Sequence, residues 1–235
     1  MSDVASPPGR SLSSFRWNGH PVYYRPGTSD MTLLYRILMK PRAKREYQIP
    51  LGLTPTSIFD IGANIGASAL LFASEFPQAR VYCFEPVAQN FEILKKNAAP
   101  YPHLKVFNFG LGTQEGKQTL FYSDDSTNHG GFSQYEAGSD PSRKIEIEIR
   151  NPKSVIESMK IGPVDIIKVD TEGAEYEILT SLPAEWLGKT SLILGELHGN
   201  RDFELLHYLE TWFQVGVNRP VSSRLGHFVA CRKTA

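Results

Sequence analysis

Asp60-Ile61-Gly62-Ala63-Asn64-Ile65-Gly66 is the stretch of sequence that decides the fold. It joins a short apolar run at residues 57–61 to an apolar run with helical spacing at residues 65–76. Glycine at position 62 lets the backbone turn sharply and lets a ligand approach closely, while a helix start presents N–H groups to an anion. Gly66 is suited to tight packing of that helix. The stretch therefore predicts a nucleotide-binding turn between a buried strand and a helix.

The alternation of strand and helix continues toward the C-terminus. Runs rich in β-branched and aromatic residues predict strands at residues 57–61, 80–84, 105–109, 117–122, 144–150, 164–169, 191–197, 215–218 and 227–232. Helical spacing predicts helices at residues 65–76, 88–97, 174–181 and 202–213. Strands separated by helices favour a parallel sheet with crossover helices. We expect an α/β fold of the Rossmann-like kind, with a doubly wound, mostly parallel sheet in three αβα layers.

The 235 residues fit one domain. We expect residues 1–20 to form a flexible N-terminal tail and residues 21–235 to form the domain, with an N-terminal helical lid at about residues 29–47. A polar stretch at about residues 123–144 predicts a loop insertion, and loops of that length are often functional. The lid carries a basic cluster, interpreted as a solvated face or, alternatively, as a contact for an anionic substrate group: Arg36, Lys40, Arg42, Lys44 and Arg45.

Composition excludes several classes of partner. Lys plus Arg and Asp plus Glu both number 25, so the chain lacks the positive field of a nucleic-acid binder. Cys83 and Cys231 lie in apolar runs and are expected to be reduced. The N-terminal residues show no secretory signal pattern, and no apolar run reaches the length of a membrane span. We expect a cytoplasmic protein without a membrane or nucleic-acid partner, and a homo-oligomer remains open.

Glu85, followed by Pro86, identifies the kind of ligand. A carboxylate at the end of the second strand of a doubly wound sheet accepts hydrogen bonds from ribose hydroxyls. Dinucleotide sites place glycine two residues after the first glycine, where this chain has Asn64. Asp60 is predicted to present a carboxylate that repels phosphate and suits an ammonium group. These charges favour S-adenosylmethionine, so we predict that Asp60, Gly62, Asn64, Gly66, Glu85 and Pro86 bind this cofactor.

Four segments resemble the FkbM family of S-adenosylmethionine-dependent methyltransferases. They are the stretch at residues 60–66, Phe84-Glu85-Pro86, Ile167-Lys168-Val169-Asp170-Thr171-Glu172-Gly173-Ala174-Glu175 and Glu196-Leu197-His198. The third segment is the most specific, although Thr171 stands where an aliphatic residue is frequent. The resemblance covers about residues 57–199. It implies a seven-stranded sheet of order 3-2-1-4-5-7-6 and O-methylation of a sugar, a glycoside or a polyketide-like small molecule.

The acceptor side of the site is expected at the carboxyl ends of the strands. There the topology should bring Asp170, Glu172 and His198 into one crevice, and we predict that these three are catalytic. An alcohol needs a group that accepts its proton, and His198 has a suitable unperturbed pKa, near roughly 6.5. Asp170 is also expected to face the cofactor. As a less favoured alternative, the three side chains hold a divalent cation that polarises the acceptor hydroxyl.

Two further points stay open in the sequence. Adenine is expected beyond the third strand of the sheet, against Phe109, Gly110 and Leu111. The competing functions are a nicotinamide-dependent oxidoreductase, against which Asn64 argues, and a non-catalytic module that binds the cofactor. A nucleic-acid methyltransferase is disfavoured by the absence of an Asn/Asp-Pro-Pro-aromatic loop after Val169.

Overall fold

The computed structural model describes residues 11–123, 132–133, 139–199, 201–220 and 225–233. The strands are β1 (Ser13–Trp17), β2 (His20–Tyr24), β3 (Ser57–Ile61), β4 (Arg80–Phe84), β5 (Leu104–Phe107), β6 (Gly110–Leu111), β7 (Gly116–Ser123), β8 (Phe132–Ser133), β9 (Ser139–Arg150), β10 (Ile166–Val169), β11 (Leu192–Leu197), β12 (Phe213–Asn218) and β13 (Gly226–Arg232). The helices are α1 (Asp30–Leu34), α2 (Ala67–Glu75), α3 (Ala88–Ala98), α4 (Pro152–Met159), α5 (Glu175–Ser181), α6 (Ala184–Leu187) and α7 (Asp202–Leu209).

A seven-stranded sheet forms the centre of the molecule. Its strand order is β12-β13-β11-β10-β3-β4-β5. All neighbours pair in parallel except β13, which is antiparallel to both β11 and β12. Counted from β3 as the first strand, this is the order 3-2-1-4-5-7-6, so the predicted fold class and sheet order are confirmed.

Helices cover both faces of this sheet because its strands are apolar on both sides. Ile58 and Ile166 belong to one buried cluster, which includes α2, whereas their neighbours Phe59 and Ile167 belong to a second cluster on the opposite face. Successive side chains of a strand point to opposite faces, so each strand feeds both clusters. Full burial of one such side chain contributes about 1.5–3 kcal/mol. The result is the three-layer arrangement that fixes the carboxyl ends of β3, β4 and β10 at one edge.

The N-terminal residues correct one expectation. β1 pairs with β2 as an antiparallel hairpin, with Trp17 opposite His20. The turn between them is Asn18-Gly19, both with positive φ (46° and 81°), as in the two-residue turns that favour hairpins. Phe15 and Trp17 also pack against the core. The expected flexible tail is therefore wrong for residues 13–20, and residues 1–10 lie outside the described part.

The predicted lid segment is helical in three short pieces. α1 continues into a π-helical turn at Tyr35–Met39, and a 3-10 turn follows at Arg42–Lys44 after Pro41. Leu34, Ile37 and Leu38 are buried in the core. The segment is thus packed onto the domain by its apolar side, and its closure over a ligand stays a prediction.

A second, four-stranded sheet of order β6-β9-β7-β8 adjoins the central one. β7 and β9 pair antiparallel, with Gly116 opposite Ile149 and Ser123 opposite Ser139. The expected loop at residues 123–144 is therefore corrected, since pairing with β7 extends β9 back to Ser139 in spite of its polar composition. Residues 124–131 and 134–138 lie outside the described part.

Two smaller expectations can be compared directly with the structure. Both cysteines are free thiols, with Cys83 buried and Cys231 partly buried. Across the described residues, no helix has the combination of length and apolar composition that crossing a bilayer requires.

Candidate active site

A cavity opens at the carboxyl ends of β3, β4 and β10 and spans about 750 Å³ together with the open space at its mouth. This is the usual ligand position in open α/β sheets. Its walls are formed by Ile61, Gly62, Asn64, Glu85, Pro86, Val87, Asn90, Gly110, Leu111, Leu120, Ile147, Ile149, Asp170, Thr171, Glu172 and Ala174. The cavity thus gathers eight of the residues that the sequence assigns to the site: Gly62, Asn64, Glu85, Pro86, Gly110, Leu111, Asp170 and Glu172.

The turn after β3 requires glycine at two positions. Gly62 has φ +76°, and a Cβ atom there would lie 1.8 Å from the carbonyl oxygen of Asp170. Gly66 has φ +96°, and a Cβ atom there would lie 2.9 Å from Cδ1 of Leu94 in α3. Gly62 therefore permits the close approach of β3 and β10. Gly66 permits helix packing, as expected, but it does not line the cavity.

The backbone amides of this turn are used inside the protein. The N–H groups of Gly62 and Ala63 both donate to the carbonyl oxygen of Phe84, each at 3.0 Å. The N–H of Asn64 donates to Oε2 of Glu85 at 2.8 Å. The expectation that these amides serve an anion is therefore wrong for residues 62–64. Oδ1 of Asn64, by contrast, is buried and has no hydrogen-bond partner among the described residues, so a ligand donor could satisfy it.

Glu85 follows the last residue of β4 and reaches the cavity. Its Oε1 accepts from the N–H of Val87 at 2.9 Å, while Oε2 accepts from Asn64. Oε1 also accepts a long hydrogen bond of 3.5 Å from Nδ2 of Asn90. An ionised carboxylate offers about four lone-pair sites, so Oε2 has capacity for a ligand hydroxyl, and Oε1 could accept from a second one in place of Asn90. Burial raises the pKa of Glu85 to about 7. A pair of donor hydroxyls would favour the charged form of this carboxylate.

Asn90 of α3 is a cavity residue that sequence reasoning missed. Its Oδ1 accepts from Nη2 of Arg25 at 2.9 Å. Arg25 in turn forms a two-point contact with the buried Asp30, through Nε to Oδ2 and Nη2 to Oδ1, both at 2.8 Å. The N-terminal segment is thereby tied to the wall beside Glu85. No local signal in the sequence marks Asn90.

The wall opposite the turn is apolar and comes from the second sheet. Leu111, Leu120, Ile147 and Ile149 line it. A Cβ atom at Gly110 would lie 2.7 Å from Cδ1 of Ile149, so this wall approaches the backbone closely. Alternating isoleucines predict the strand β9, but the sequence does not say which sheet the strand joins.

Phe109 does not line the cavity, and its expected contact with adenine is corrected. Its ring packs against Phe84, with 5.6 Å between centroids, and the guanidinium of Arg150 lies 4.3 Å from the ring centroid. Phe109 precedes Gly110 and is buried in the same large cluster as Phe84. Its role is packing.

Asp60 also lies away from the cavity walls. The carboxylate is fully buried, accepts from Oγ of Ser68 at 2.7 Å, and lies 3.5 Å from Nζ of Lys168. Burial raises the pKa of Asp60. The expectation that Asp60 presents its carboxylate to a ligand is therefore wrong, because its side chain points toward α2 on the sheet face.

Lys168 places a buried cation between Asp60 and the glycine turn. Sequence reasoning missed this residue. Its ammonium donates to the carbonyl oxygen of Gly62 at 2.7 Å and lies 3.8 Å from Oδ2 of Asp170. Burial lowers the pKa of Lys168, but Asp60 and Asp170 outweigh that effect and raise it. Lys168 thus stays charged and stabilises the turn at Gly62 through its hydrogen bond to the carbonyl oxygen of that residue.

His198 lies within a cluster of carboxylates. Nδ1 is 3.1 Å from Oε1 of Glu175, and Nε2 is 3.3 Å from Oε2 of Glu196. Nε2 also lies 3.5 Å from Oε2 of Glu172 and 3.8 Å from Oδ1 of Asp170. Burial lowers the pKa of His198, but the carboxylates outweigh this and raise it to about 11. The imidazole is therefore protonated at neutral pH, and the expectation of a histidine base is not supported.

Glu175 anchors this cluster and was not assigned to the site by the sequence. Its Oε1 accepts from the N–H groups of Thr171 at 2.7 Å and Gly173 at 3.3 Å. These bonds fix the loop in which Glu172 has φ +59°. Glu175 closes the Asp-x-Glu-Gly-Ala-Glu block, so the spacing within that block is the signal that could have identified it.

Asp170 is shared between the cavity and the cluster. Its Oδ2 accepts from the hydroxyl of Tyr47 at 3.3 Å, and its Oδ1 faces His198. Burial raises the pKa of Asp170 to about 6, although Lys168 lowers it. Asp170 therefore carries a negative charge at neutral pH at the boundary between the cavity and the polar cluster.

The spacing within the cluster also bears on the cation alternative. Ligand atoms of Asp170, Glu196 and His198 lie within 4.8 Å of one another. The predicted set differs by one member, because it has Glu172 in place of Glu196. A divalent cation would compete there with the proton of His198.

Comparison with known proteins identifies the family. The model of the methyltransferase FkbM domain matches residues 60–219. AMB antimetabolite synthetase AmbE of Pseudomonas aeruginosa is 28% identical over 179 residues, which cover 62% of this chain. The 31-O-demethyl-FK506 methyltransferase FkbM of Streptomyces tacrolimicus is 24% identical over 72% of this chain and 75% of its own length. The chain spans 8%, 61% and 57% of the lengths of three curated relatives, AmbE being the first of these.

A solved structure supports the fold. The crystal structure of methyltransferase FkbM from Methylobacillus flagellatus aligns with a TM-score of 0.54 at 18% identity and covers 82% of this chain and 48% of that one. The family match confirms the resemblance noted in the sequence. The chain belongs to the methyltransferase FkbM family.

Proposed function

We propose that the chain transfers a methyl group from S-adenosylmethionine to a hydroxyl oxygen of a small molecule, such as a sugar, a glycoside or a polyketide-like compound. The observation that carries the proposal is that Asp170 lies on the wall of the cavity that contains Glu85. The proposed cofactor site thereby lies next to Asp170, a negatively charged group that is able to accept a proton. The name of the Streptomyces relative, which specifies an oxygen position, also supports a hydroxyl acceptor.

The cavity offers a partner to each part of the cofactor. Glu85 suits the two ribose hydroxyls, and the apolar wall of Leu111, Ile147 and Ile149 suits adenine. The buried Oδ1 of Asn64 can accept a hydrogen bond from the ammonium group. When bound, S-adenosylmethionine would supply an electrophilic methyl group on a sulfonium.

Asp170 is the group that would accept the proton of the acceptor hydroxyl. As a carboxylate it can accept a hydrogen bond, and then the proton, from the acceptor hydroxyl. The imidazolium of His198 holds Glu175, Glu196 and Asp170 together. Glu172, which is half exposed at the cavity, is a second candidate to contact the acceptor. Equal numbers of acidic and basic residues, 25 each, support a small molecule over a nucleic acid.

Calorimetry with S-adenosylhomocysteine and with NAD tests the proposal. We expect S-adenosylhomocysteine to bind and NAD not to bind, because Asn64 replaces the glycine that a pyrophosphate needs. Absence of binding by S-adenosylhomocysteine, or preferential binding of NAD, would contradict the proposed function.

Screening glycosides and hydroxylated natural products for release of S-adenosylhomocysteine tests the chemistry. With an acceptor in hand, Asp170→Asn and His198→Ala are expected to lose turnover while they keep cofactor binding. Turnover should rise with pH through about 6, where Asp170 ionises. EDTA should leave turnover unchanged if the proton of His198, rather than a cation, balances the carboxylates. Full activity of Asp170→Asn would exclude Asp170 as the base.

A further inference from the structure

A second concave surface lies beside the acidic cluster. It spans about 960 Å³, counted with the open space at its mouth, between residues 36–48 and the strands β12 and β13. We call it the basic groove and define it by Arg36, Lys40, Lys44, Arg45 and His227. His227 pairs across the sheet with Glu196 of β11, so the groove lies at the carboxyl edge of the sheet, as the cofactor cavity does.

Contacts lead from the basic groove to the cofactor cavity. Nη2 of Arg36 lies 3.4 Å from Nε2 of His227, and Nδ1 of His227 lies 3.4 Å from Oε1 of Glu196. Glu196 contacts His198, and His198 contacts Asp170 on the cavity wall. The groove and the cavity therefore flank the same cluster from opposite sides. In this series of contacts Glu196 and His198 lie between His227 and Asp170, so an acceptor that reaches both places has to pass over the cluster.

Positive charge dominates the basic groove. Four cations line it, and Glu46 is the single carboxylate among its lining residues. Glu46 holds Arg36 through a contact of 2.5 Å, and Glu75 holds Arg45 at 2.9 Å, so both guanidinium groups are fixed in position. Among the described residues, Lys40 and Lys44 form no ion pair.

The shape of this surface separates the two interpretations of the basic cluster that the sequence leaves open. A solvated basic face would be convex or flat, with its charges spread into solvent. Here the four cations line one side of a concave space that is open to solvent, and Gly216 and Val217 of β12 form its opposite side. Burial lowers the pKa of His227, so a neutral imidazole adds a hydrogen-bonding group without adding charge.

We infer that the basic groove binds an anionic group, a carboxylate or a phosphate, of the methyl acceptor. This inference rests on the proposed function, because it places the anion on the same molecule as the hydroxyl beside Asp170. Ammonium and guanidinium groups form charge-assisted hydrogen bonds with such oxygens, and these are stronger than bonds between neutral groups. The groove would thereby select acid-bearing acceptors over neutral ones of the same shape.

Three matched sugars test the inference by calorimetry on the protein saturated with S-adenosylhomocysteine. They are methyl glucoside, its 6-carboxylate, which is methyl glucuronide, and its 6-phosphate. We expect at least one charged sugar to bind about tenfold more tightly than the neutral one, the gain from one charge-assisted hydrogen bond. The preference should shrink as salt is added. The better of the two anions identifies whether a carboxylate or a phosphate is bound.

Variants locate the binding. Lys40→Ala/Lys44→Ala should remove most of the preference for the charged sugar. Lys189→Ala removes an exposed lysine near the amino end of β11, at the opposite edge of the sheet, and should leave the preference unchanged. Equal binding of the charged and neutral sugars, no binding of any, or equal loss in both variants would overturn the inference.

A separate titration with S-adenosylhomocysteine alone keeps the two proposals distinguishable. If it binds and the anion preference is absent, the inference about the groove fails and the proposed function stands. If it does not bind, the proposed function fails, and repeating the sugar titrations without it shows whether the groove still selects anions.

Discussion

Asp60 and Glu85 lie at the carboxyl ends of neighbouring parallel strands, and the sequence assigns both to the cofactor. Asp60 is the penultimate residue of β3, and its carboxylate is buried against Lys168. Glu85 is the first residue after β4, and its carboxylate lines the cavity. The comparison teaches that the position of a carboxylate relative to the strand end decides whether it stabilises the sheet or meets a ligand.

The two carboxylates also differ in what balances their charge. Asp60 has a full opposite charge nearby in Lys168, and breaking such a buried pair leaves an uncompensated ion. The carboxylate of Glu85 accepts hydrogen bonds from two backbone N–H groups and from the side chain of Asn90, and it lines the cavity. Changes at Asp60 should therefore affect folding, and changes at Glu85 should affect binding.

The largest expected effect is that of Asp60→Ala. It leaves Lys168 buried with Asp170 as its remaining acidic neighbour, at 3.8 Å. We expect the free energy of unfolding to fall by about 3–5 kcal/mol, measured by urea denaturation. Asp60→Ala/Lys168→Met, which removes both charges, should recover part of this loss. A loss below about 1 kcal/mol in the single variant would show that the pair contributes little.

A smaller effect is expected for Glu85→Gln. It should weaken binding of S-adenosylhomocysteine by about 1–3 kcal/mol, because an amide cannot accept from two hydroxyls as a carboxylate does. Calorimetry measures the change, and Glu92→Gln, on the exposed side of α3, is the matched control. Unchanged affinity in Glu85→Gln would remove Glu85 from the cofactor site.

The pH dependence of stability sharpens the same comparison. The pKa of Glu85 is about 7 in the folded chain, above its ordinary value of 4.5, so the folded state holds more protons between these values. The free energy of unfolding of the ligand-free protein should therefore fall as pH rises through this window. For Glu85 alone the slope is at most about 1.4 kcal/mol per pH unit. Glu85→Gln should flatten the curve, and identical curves would contradict the assignment.

The smallest expected effect is that of Tyr47→Phe. It removes the hydroxyl that donates to Asp170 over a long 3.3 Å and leaves the apolar ring in place. We expect a loss of about 0.5–1 kcal/mol in unfolding free energy, measured by urea denaturation. A loss as large as that of Asp60→Ala would mean that Asp170, too, serves mainly to stabilise the fold.

The sequence is sufficient to predict the central sheet, because each of its strands and helices has a local pattern of apolar residues. Features that form between segments distant in the sequence could not be predicted from such local patterns. The apolar wall depends on where β7 and β9 dock, and the roles of Lys168 and Glu175 depend on side chains that the fold brings together. Asp60 was misassigned because a motif shows that a carboxylate is near a strand end without showing which way it points.

The apolar wall has a consequence for how this protein can change over time. Three of its four residues, Leu120, Ile147 and Ile149, form a small cluster with Val87, whereas Leu111 belongs to one of the two large clusters that cover the central sheet. If the wall contacts adenine, as we propose, substitutions at these three residues should change cofactor affinity with less effect on folding than substitutions at Leu111. Most of the wall is thereby separate from the side chains on which folding of the central sheet depends.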